Sequence, residues 1–287
     1  MTHTLYYGDR TYSSWSMRGW LLLKAFDIPM QPQYAGLYDG TLLADLAQVA
    51  PARQVPAMAG PDGTVVYDTL AMAETLADDH PKMWPAPPAL RGLARSITAE
   101  MHASFGALRG DCAMNLEHAW AGFDPSDAVL ADVDRIQHLW ALALDKSGSD
   151  GWLFGDYSIA DVFYAPIAAR FAGHGITLTP QCQAYVDRHL NDPLFRQWRA
   201  MGLTKSYDPR PYRMDLDETP WPGPTRLAAK AVEAGPSVNA LCPYSSLPVT
   251  HFLELDGRIF GFCNAFCRDK TVADPGAWPK FMDVYLS

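Results

Sequence analysis

Three short stretches near the start of the chain carry residue types able to handle a thiol. They are Tyr12-Ser13-Ser14-Trp15-Ser16-Met17-Arg18, then Gln54-Val55-Pro56, then Asp68-Thr69. A free thiol has a pKa of about 8.5, and the thiolate is the nucleophile. A hydroxyl that donates to the sulfur at the start of a helix favours the thiolate. Ser13 or Ser14 can supply it, and each pKa unit of lowering corresponds to about 1.4 kcal/mol. The bond before Pro56 is a candidate cis peptide. It would let Val55 offer its N–H and C=O to an extended peptide, as an added strand does. Thr69 combines a hydroxyl with a helix-start N–H and suits a carboxylate, whereas Asp68 suits an ammonium. Together these groups fit the charged γ-glutamyl end and the sulfur of a tripeptide thiol. Singly, two serines or an Asp-Thr before a helix are ordinary caps. Their order and joint spacing favour the chemical reading.

A second chemical signal lies near the other end. Cys242-Pro243 is followed, after twenty residues, by Cys263-Asn264-Ala265-Phe266-Cys267. The Cys-x3-Cys spacing at the start of a helix places two sulfurs on one face, because i and i+4 are neighbours. A hairpin from Phe252 to Phe260, turning at Asp256-Gly257, brings Cys242 near them. Three converging thiolates suit a soft or borderline cation, with zinc favoured by ligand type. His251 is the nearest candidate for a fourth ligand, although strand alternation could point it away. The alternative is three reduced cysteines in a small apolar core. Cys112 and Cys182 have no partner motif and are expected to be inert.

These residues need elements to hold them. Thr4-Leu5-Tyr6-Tyr7 reads as a strand, and a helix follows the two serines and stops near Pro29. Residues 55–58 and 65–67 flank Pro61-Asp62-Gly63 and read as a hairpin, with a helix from about 69 to 79. Pro81 to Pro88 separates this unit from a helical section that runs to about residue 200. There Ser126 starts one helix, and Ser158 with Asp161 forms a capping box at the start of another. Pro166 should kink that second helix. Residues 203–237 are proline-rich and read as a linker.

The 287 residues allow two domains, or two plus a small one, and 48% apolar with 19% charged residues is usual for a soluble globular protein. A formal net charge of -9 and a pI of about 5.3 argue against nucleic acid or an anionic membrane surface as partners. No apolar run approaches the ~20 residues that span a bilayer. The start, Met1-Thr2-His3-Thr4-Leu5, lacks the basic and apolar regions of a signal peptide. A cytoplasmic location is therefore expected, where five cysteines are more readily free or metal-bound than paired.

Residues 1 to about 200 resemble cytosolic glutathione transferases, closest to the serine-type, zeta-like bacterial branch. Ser13-Ser14-Trp15-Ser16-Met17-Arg18 stands for the zeta pattern Ser-Ser-Cys-Ser-x-Arg, with Trp15 in place of the cysteine. Gln54-Val55-Pro56 matches the family's Gln-Val-Pro, and Asp68-Thr69 stands conservatively for its Glu-Ser. Gly155-Asp156-Tyr157-Ser158-Ile159-Ala160-Asp161 matches its structural motif Gly-x-x-(Ser/Thr)-x-x-Asp. The resemblance implies an α/β thioredoxin-like N-terminal domain (1–80), an all-α domain (88–202), glutathione as co-substrate and a homodimer. Ser13 is the implied thiol-activating residue, with Ser14 second. Trp15, Gln54, Val55, Pro56, Asp68 and Thr69 would meet glutathione. His102, Arg109, Met114 and Asn115 would line an acceptor pocket between the domains; alternatively Met114 is core, and His102 and Arg109 are solvated. The reaction would be conjugation, isomerisation or peroxide reduction.

Residues 238–287 resemble the small treble-clef-like YHS or TRASH modules, which carry one cysteine, about twenty residues, then Phe-Cys-x3-Cys. The likeness implies metal at Cys242, Cys263 and Cys267. A zinc knuckle would carry a second cysteine soon after the first, and Tyr244-Ser245-Ser246 offers none. It also implies a competing role, a metal-binding or metal-responsive protein that uses a transferase-like scaffold for dimerisation and glutathione docking.

Overall fold

The computed structural model describes residues 2–287. The first strand, β1 (His3–Tyr7), buries Leu5 and Tyr7 on one face. A tight loop leads to α1 (Ser14–Lys24), whose Met17, Trp20, Leu21, Leu22 and Leu23 are buried. Next come β2 (Met30–Tyr34), α2 (Leu42–Asp45), β3 (Ala57–Ala59), β4 (Val65–Val66) and α3 (Thr69–Asp79). The sheet order is β2-β1-β3-β4. β1 runs parallel to β2 and antiparallel to β3, and β3 and β4 form the expected hairpin. This strand–helix–strand unit followed by a hairpin and helix is a thioredoxin-like arrangement. Pro32 sits inside β2 and interrupts the strand pattern in the sequence. Proline is tolerated there because β2 is the edge strand.

The helical section contains α4 (Pro88–Ala103), α5 (Gly106–Asp111), β5 (Ala119–Trp120), α6 (Asp127–Ser147), α7 (Ile159–Gly173) and α8 (Pro180–Asn191). Ser126 caps α6 through the Val129 N–H, and the Ser158–Asp161 capping box opens α7. α7 is buried along nearly its whole length and continues through Pro166. Trp140 of α6 packs edge-on against Tyr164 and Phe171 of α7 and Tyr185 of α8. Among the described residues, no helix is long and apolar enough to cross a membrane.

The proline-rich segment is more ordered than a linker. Within it β6 (Glu218–Thr219) pairs with β5, and β7 (Lys230–Val232) pairs with β8 (His251–Leu255). Strands of two and three residues between prolines leave no periodicity to read.

The chain divides into two compact units. One takes the residues up to His189 together with Met214–Pro222, and the other takes Leu190–Arg213 and Gly223–Ser287. The second unit holds α9 (Pro193–Gly202), β7, β8, β9 (Arg258–Phe262), α10 (Ala265–Ala273) and α11 (Pro279–Leu286). β7-β8-β9 form its sheet, and Leu253, Leu255, Phe260, Phe262 and Phe281 fill its core. Arg196 of α9 holds Asp274 through two hydrogen bonds of 2.9 and 2.7 Å.

Candidate functional site

The loop before α1 is shaped by Asp9, whose Oδ1 accepts the N–H groups of Thr11 and Tyr12, each at 2.8 Å. Ser13 is the N-cap of α1. Its Oγ accepts the Ser16 N–H at 3.2 Å and donates to Ser16 Oγ at 2.9 Å. Ser16 Oγ in turn accepts the Gly8 N–H at 2.9 Å. A hydroxyl has one proton, so the Ser13 proton is used inside the cap. Ser14 is placed differently. Its Oγ accepts from Arg170 Nη2 at 3.4 Å, which leaves its proton available to a ligand. The guanidinium of Arg170 is itself anchored through Nη1 to the carbonyls of Arg109, at 3.2 Å, and of Cys112.

Trp15 lies among two guanidinium groups and an imidazole. The guanidinium of Arg18 is 4.6 Å from its ring centroid and that of Arg109 is 4.9 Å away. The His102 ring meets it edge-on at 5.4 Å. Arg18 is buried, with Nε donating to the Phe163 carbonyl at 3.1 Å. Burial pushes its pKa well down, and Arg170 and Arg109 add to that. His102 Nε2 is 3.2 Å from Asp68 Oδ2. Burial lowers the His102 pKa; Asp68 opposes this, and Arg18 and Arg109 reinforce it.

The second and third stretches adjoin the first. The Val55–Pro56 bond is cis. A Cβ on Gly19 of α1 would lie 2.8 Å from Pro56 Cβ and Cγ, so glycine at this point lets the loop close on the helix. No group among the described residues accepts the Val55 N–H. Asp68 Oδ1 caps α3 through the N–H groups of Leu70 and Ala71 at 2.8 and 3.0 Å, and its other oxygen faces His102. Thr69 is buried and its hydroxyl lacks a hydrogen-bond partner, whereas Gln54 is exposed.

Of the four acceptor-pocket candidates, His102 and Arg109 gather at Trp15 and are half-buried. Met114 is 1% exposed and packs in the core. Asn115 is used locally: its Oδ1 accepts the Glu117 N–H at 2.9 Å, and its Nδ2 lies 2.9 Å from His118 Nε2. Sequence reasoning missed Arg170. The available signal was a lone arginine late in the apolar helix that runs from Ile159.

In the second unit the sulfurs of Cys242, Cys263 and Cys267 all lie within 4.8 Å of one another. The Cys263–Cys267 separation is 3.9 Å. The geometry differs from the expected i, i+4 helix pair. Cys263 follows β9 and precedes Asn264, the N-cap of α10, so only Cys267 is helical. Burial alone would raise the Cys242 thiol pKa. Hydrogen bonds from the Cys263, Tyr244 and Ser245 N–H groups outweigh that and bring it to about 7. Burial pushes Cys267 up to about 12, with Lys270 opposing. Ser245 Oγ donates to Cys263 Sγ at 3.2 Å. His251 is not part of the sulfur group, and its Nδ1 lies 2.9 Å from Thr250 Oγ1. Three converging sulfur donors, with backbone N–H groups at Cys242 and the Ser245 hydroxyl and Asn264 amide at Cys263, fit a zinc or other thiophilic cation.

Residues 12–79 match the family model for the glutathione S-transferase N-terminal domain. No curated protein matches the chain. Solved structures do. A glutathione transferase homologue from Burkholderia, strain BGR1, with bound glutathione, is 22% identical with a TM-score of 0.55, covering 71% of this chain and 100% of that one. An unclassified glutathione S-transferase from Bombyx mori is 18% identical with a TM-score of 0.56, covering 70% and 95%. An omega transferase from Trametes versicolor, in complex with 2,4-dihydroxybenzophenone, is 19% identical with a TM-score of 0.52, covering 69% and 93%. The chain therefore has a glutathione-transferase fold, a thioredoxin-like N-terminal domain followed by an all-α domain.

Proposed function

We propose that the chain is a glutathione-dependent transferase in which Ser14 keeps the bound thiol as thiolate. The observation that carries this reading is the Ser14 hydroxyl. It stands at the first residue of α1, its oxygen takes a hydrogen bond from Arg170, and its proton is uncommitted. The helix N-terminus and the nearby guanidinium groups favour negative charge there. Ser13 is then the cap that fixes the turn. The unpaired Val55 N–H would receive the peptide backbone of glutathione, and the start of α3, with Asp68 and Thr69, its γ-glutamyl end. Gln54 lies next to that contact. Trp15, with Arg18, Arg109 and His102 about it, would form the floor of the acceptor site. Catalysis would come from thiol activation and proximity, and conjugation, isomerisation and peroxide reduction all begin from this thiolate. A homodimer belongs to this reading, and a light-scattering mass would test it. The direct test is retention on immobilised glutathione followed by turnover of a chromogenic aryl halide. Unchanged retention and turnover in Ser14→Ala would remove the proposal's centre.

The sulfur cluster supports a second reading, in which Cys242, Cys263 and Cys267 bind zinc and the transferase-like body serves a metal-binding role. Metal analysis of the purified protein beside Cys263→Ser tests it, and equal metal content in the two would dismiss it.

A further inference from the structure

We propose that Ser245 leaves the Cys242–Cys263–Cys267 group one ligand short, so that zinc held there keeps its fourth position for a small external thiol. The inference rests on the reading that this group binds zinc, and it goes beyond it. Closed structural zinc sites have four protein ligands, whereas three-ligand sites keep one place for an exchangeable molecule. Among the described residues no fourth histidine, cysteine or carboxylate joins the three sulfurs. Ser245 stands three residues after Cys242, at the Cys-x2-Cys spacing common in closed sites. Its hydroxyl already lies 3.2 Å from Cys263 Sγ, but a neutral hydroxyl is not among zinc's usual ligands.

The open side is also the accessible one. Ser245 is exposed and Cys263 and Cys267 are half-buried, whereas Cys242 is 2% exposed. A site already made of three thiolates favours a further sulfur over a hard oxygen donor. Lys270 supplies a positive charge beside Cys267 that offsets the added anion. Its Nζ is held 3.9 Å from the Tyr244 ring centroid and 4.0 Å from that of Trp278. The thiol would enter with loss of one proton to solvent and would replace a water; no electrons move.

The test uses the full-length protein loaded with cobalt(II) under a phosphine reductant, because the sulfur-to-cobalt charge-transfer band reports bound thiolates. Glutathione should strengthen and shift that band, and S-methylglutathione should leave it unchanged. Ser14→Ala should respond like the parent protein, since the reporter does not depend on the transferase site. Ser245→Cys should show a stronger band before any addition, and its response to glutathione should be lost. A cobalt-loaded parent that ignores glutathione overturns the open position alone, as does a Ser245→Cys protein that responds undiminished. Failure to bind cobalt in stoichiometric amount overturns the zinc reading and this inference together.

Discussion

Replacing Ser14 by alanine should raise the pKa of the bound glutathione thiol by about one to two units. Hydrogen bonds to a charged partner contribute about 1.5–3 kcal/mol, and each pKa unit is about 1.4 kcal/mol. At pH values below the bound thiol's pKa in the parent protein, the thiolate population and the rate should fall roughly 10- to 100-fold, and the loss should shrink as pH rises. Ser13→Ala should behave otherwise. Its hydroxyl serves the Ser16 N–H and Ser16 Oγ, so its loss should cost about 1 kcal/mol of stability, as for other N-caps, and leave the thiol pKa nearly in place. Arg170→Gln should move the pKa in the same direction as Ser14→Ala, because the guanidinium bonded to the Ser14 oxygen is gone. The assay is the ultraviolet absorbance of the bound thiolate against pH, with the pH–rate profile beside it. A raised thiol pKa in Ser13→Ala with an unchanged one in Ser14→Ala would refute the assignment of the two hydroxyls.

Gly19→Ala would drive a Cβ to 2.8 Å from the rigid Pro56 ring; about 1–3 kcal/mol of destabilisation and weaker retention on glutathione resin should follow, both measurable on one preparation. His189 is buried against Trp152 and Tyr185, and burial, with Arg188 adding to it, brings its pKa down to about 3. The unfolded chain takes up a proton below about pH 6.5 while the folded protein does not, so stability from this group falls as pH drops through that window, by about 1.4 kcal/mol per unit. Urea denaturation of the parent protein and His189→Phe should therefore show a stability difference that moves against the parent by roughly 4 kcal/mol by pH 3.5; a pH-independent difference would contradict it. In the second unit, Asp274→Ala leaves the half-buried Arg196 guanidinium without its two carboxylate bonds and should cost about 3 kcal/mol. Arg196→Met with Asp274→Ala should cost less than Asp274→Ala alone, as read by thermal unfolding.

Much of the local structure was legible. The expected helix at 69–79 coincides with α3, the hairpin about Asp256-Gly257 forms as β8 and β9, and the capping box at Ser158 is present. Each rests on residues a few positions apart. A serine that caps the third N–H ahead of it, or an Asp-Gly turn with positive φ at both residues, needs no distant partner. The candidate site was legible as a set of places. Trp15, His102 and Asp68 form a continuous chain of contacts, and Pro56 closes on Gly19.

The roles proposed within those places rest on tertiary structure. Ser13 and Ser14 are adjacent and chemically alike, and what separates them is Arg170, 156 residues away. No local pattern encodes that contact, since it depends on how α7 packs beside α1. Met114 and Asn115 have residue types suited to a pocket, yet one faces the core and the other forms a turn. Near the chain's end the spacing of Cys242, Cys263 and Cys267 pointed to a cluster, while a strand end and a helix start, rather than one helical face, bring the sulfurs together. Local sequence sets which backbone shapes are cheap over a few residues; which side chains then meet depends on burial of apolar faces far apart in the chain, and that is settled only when the whole core packs.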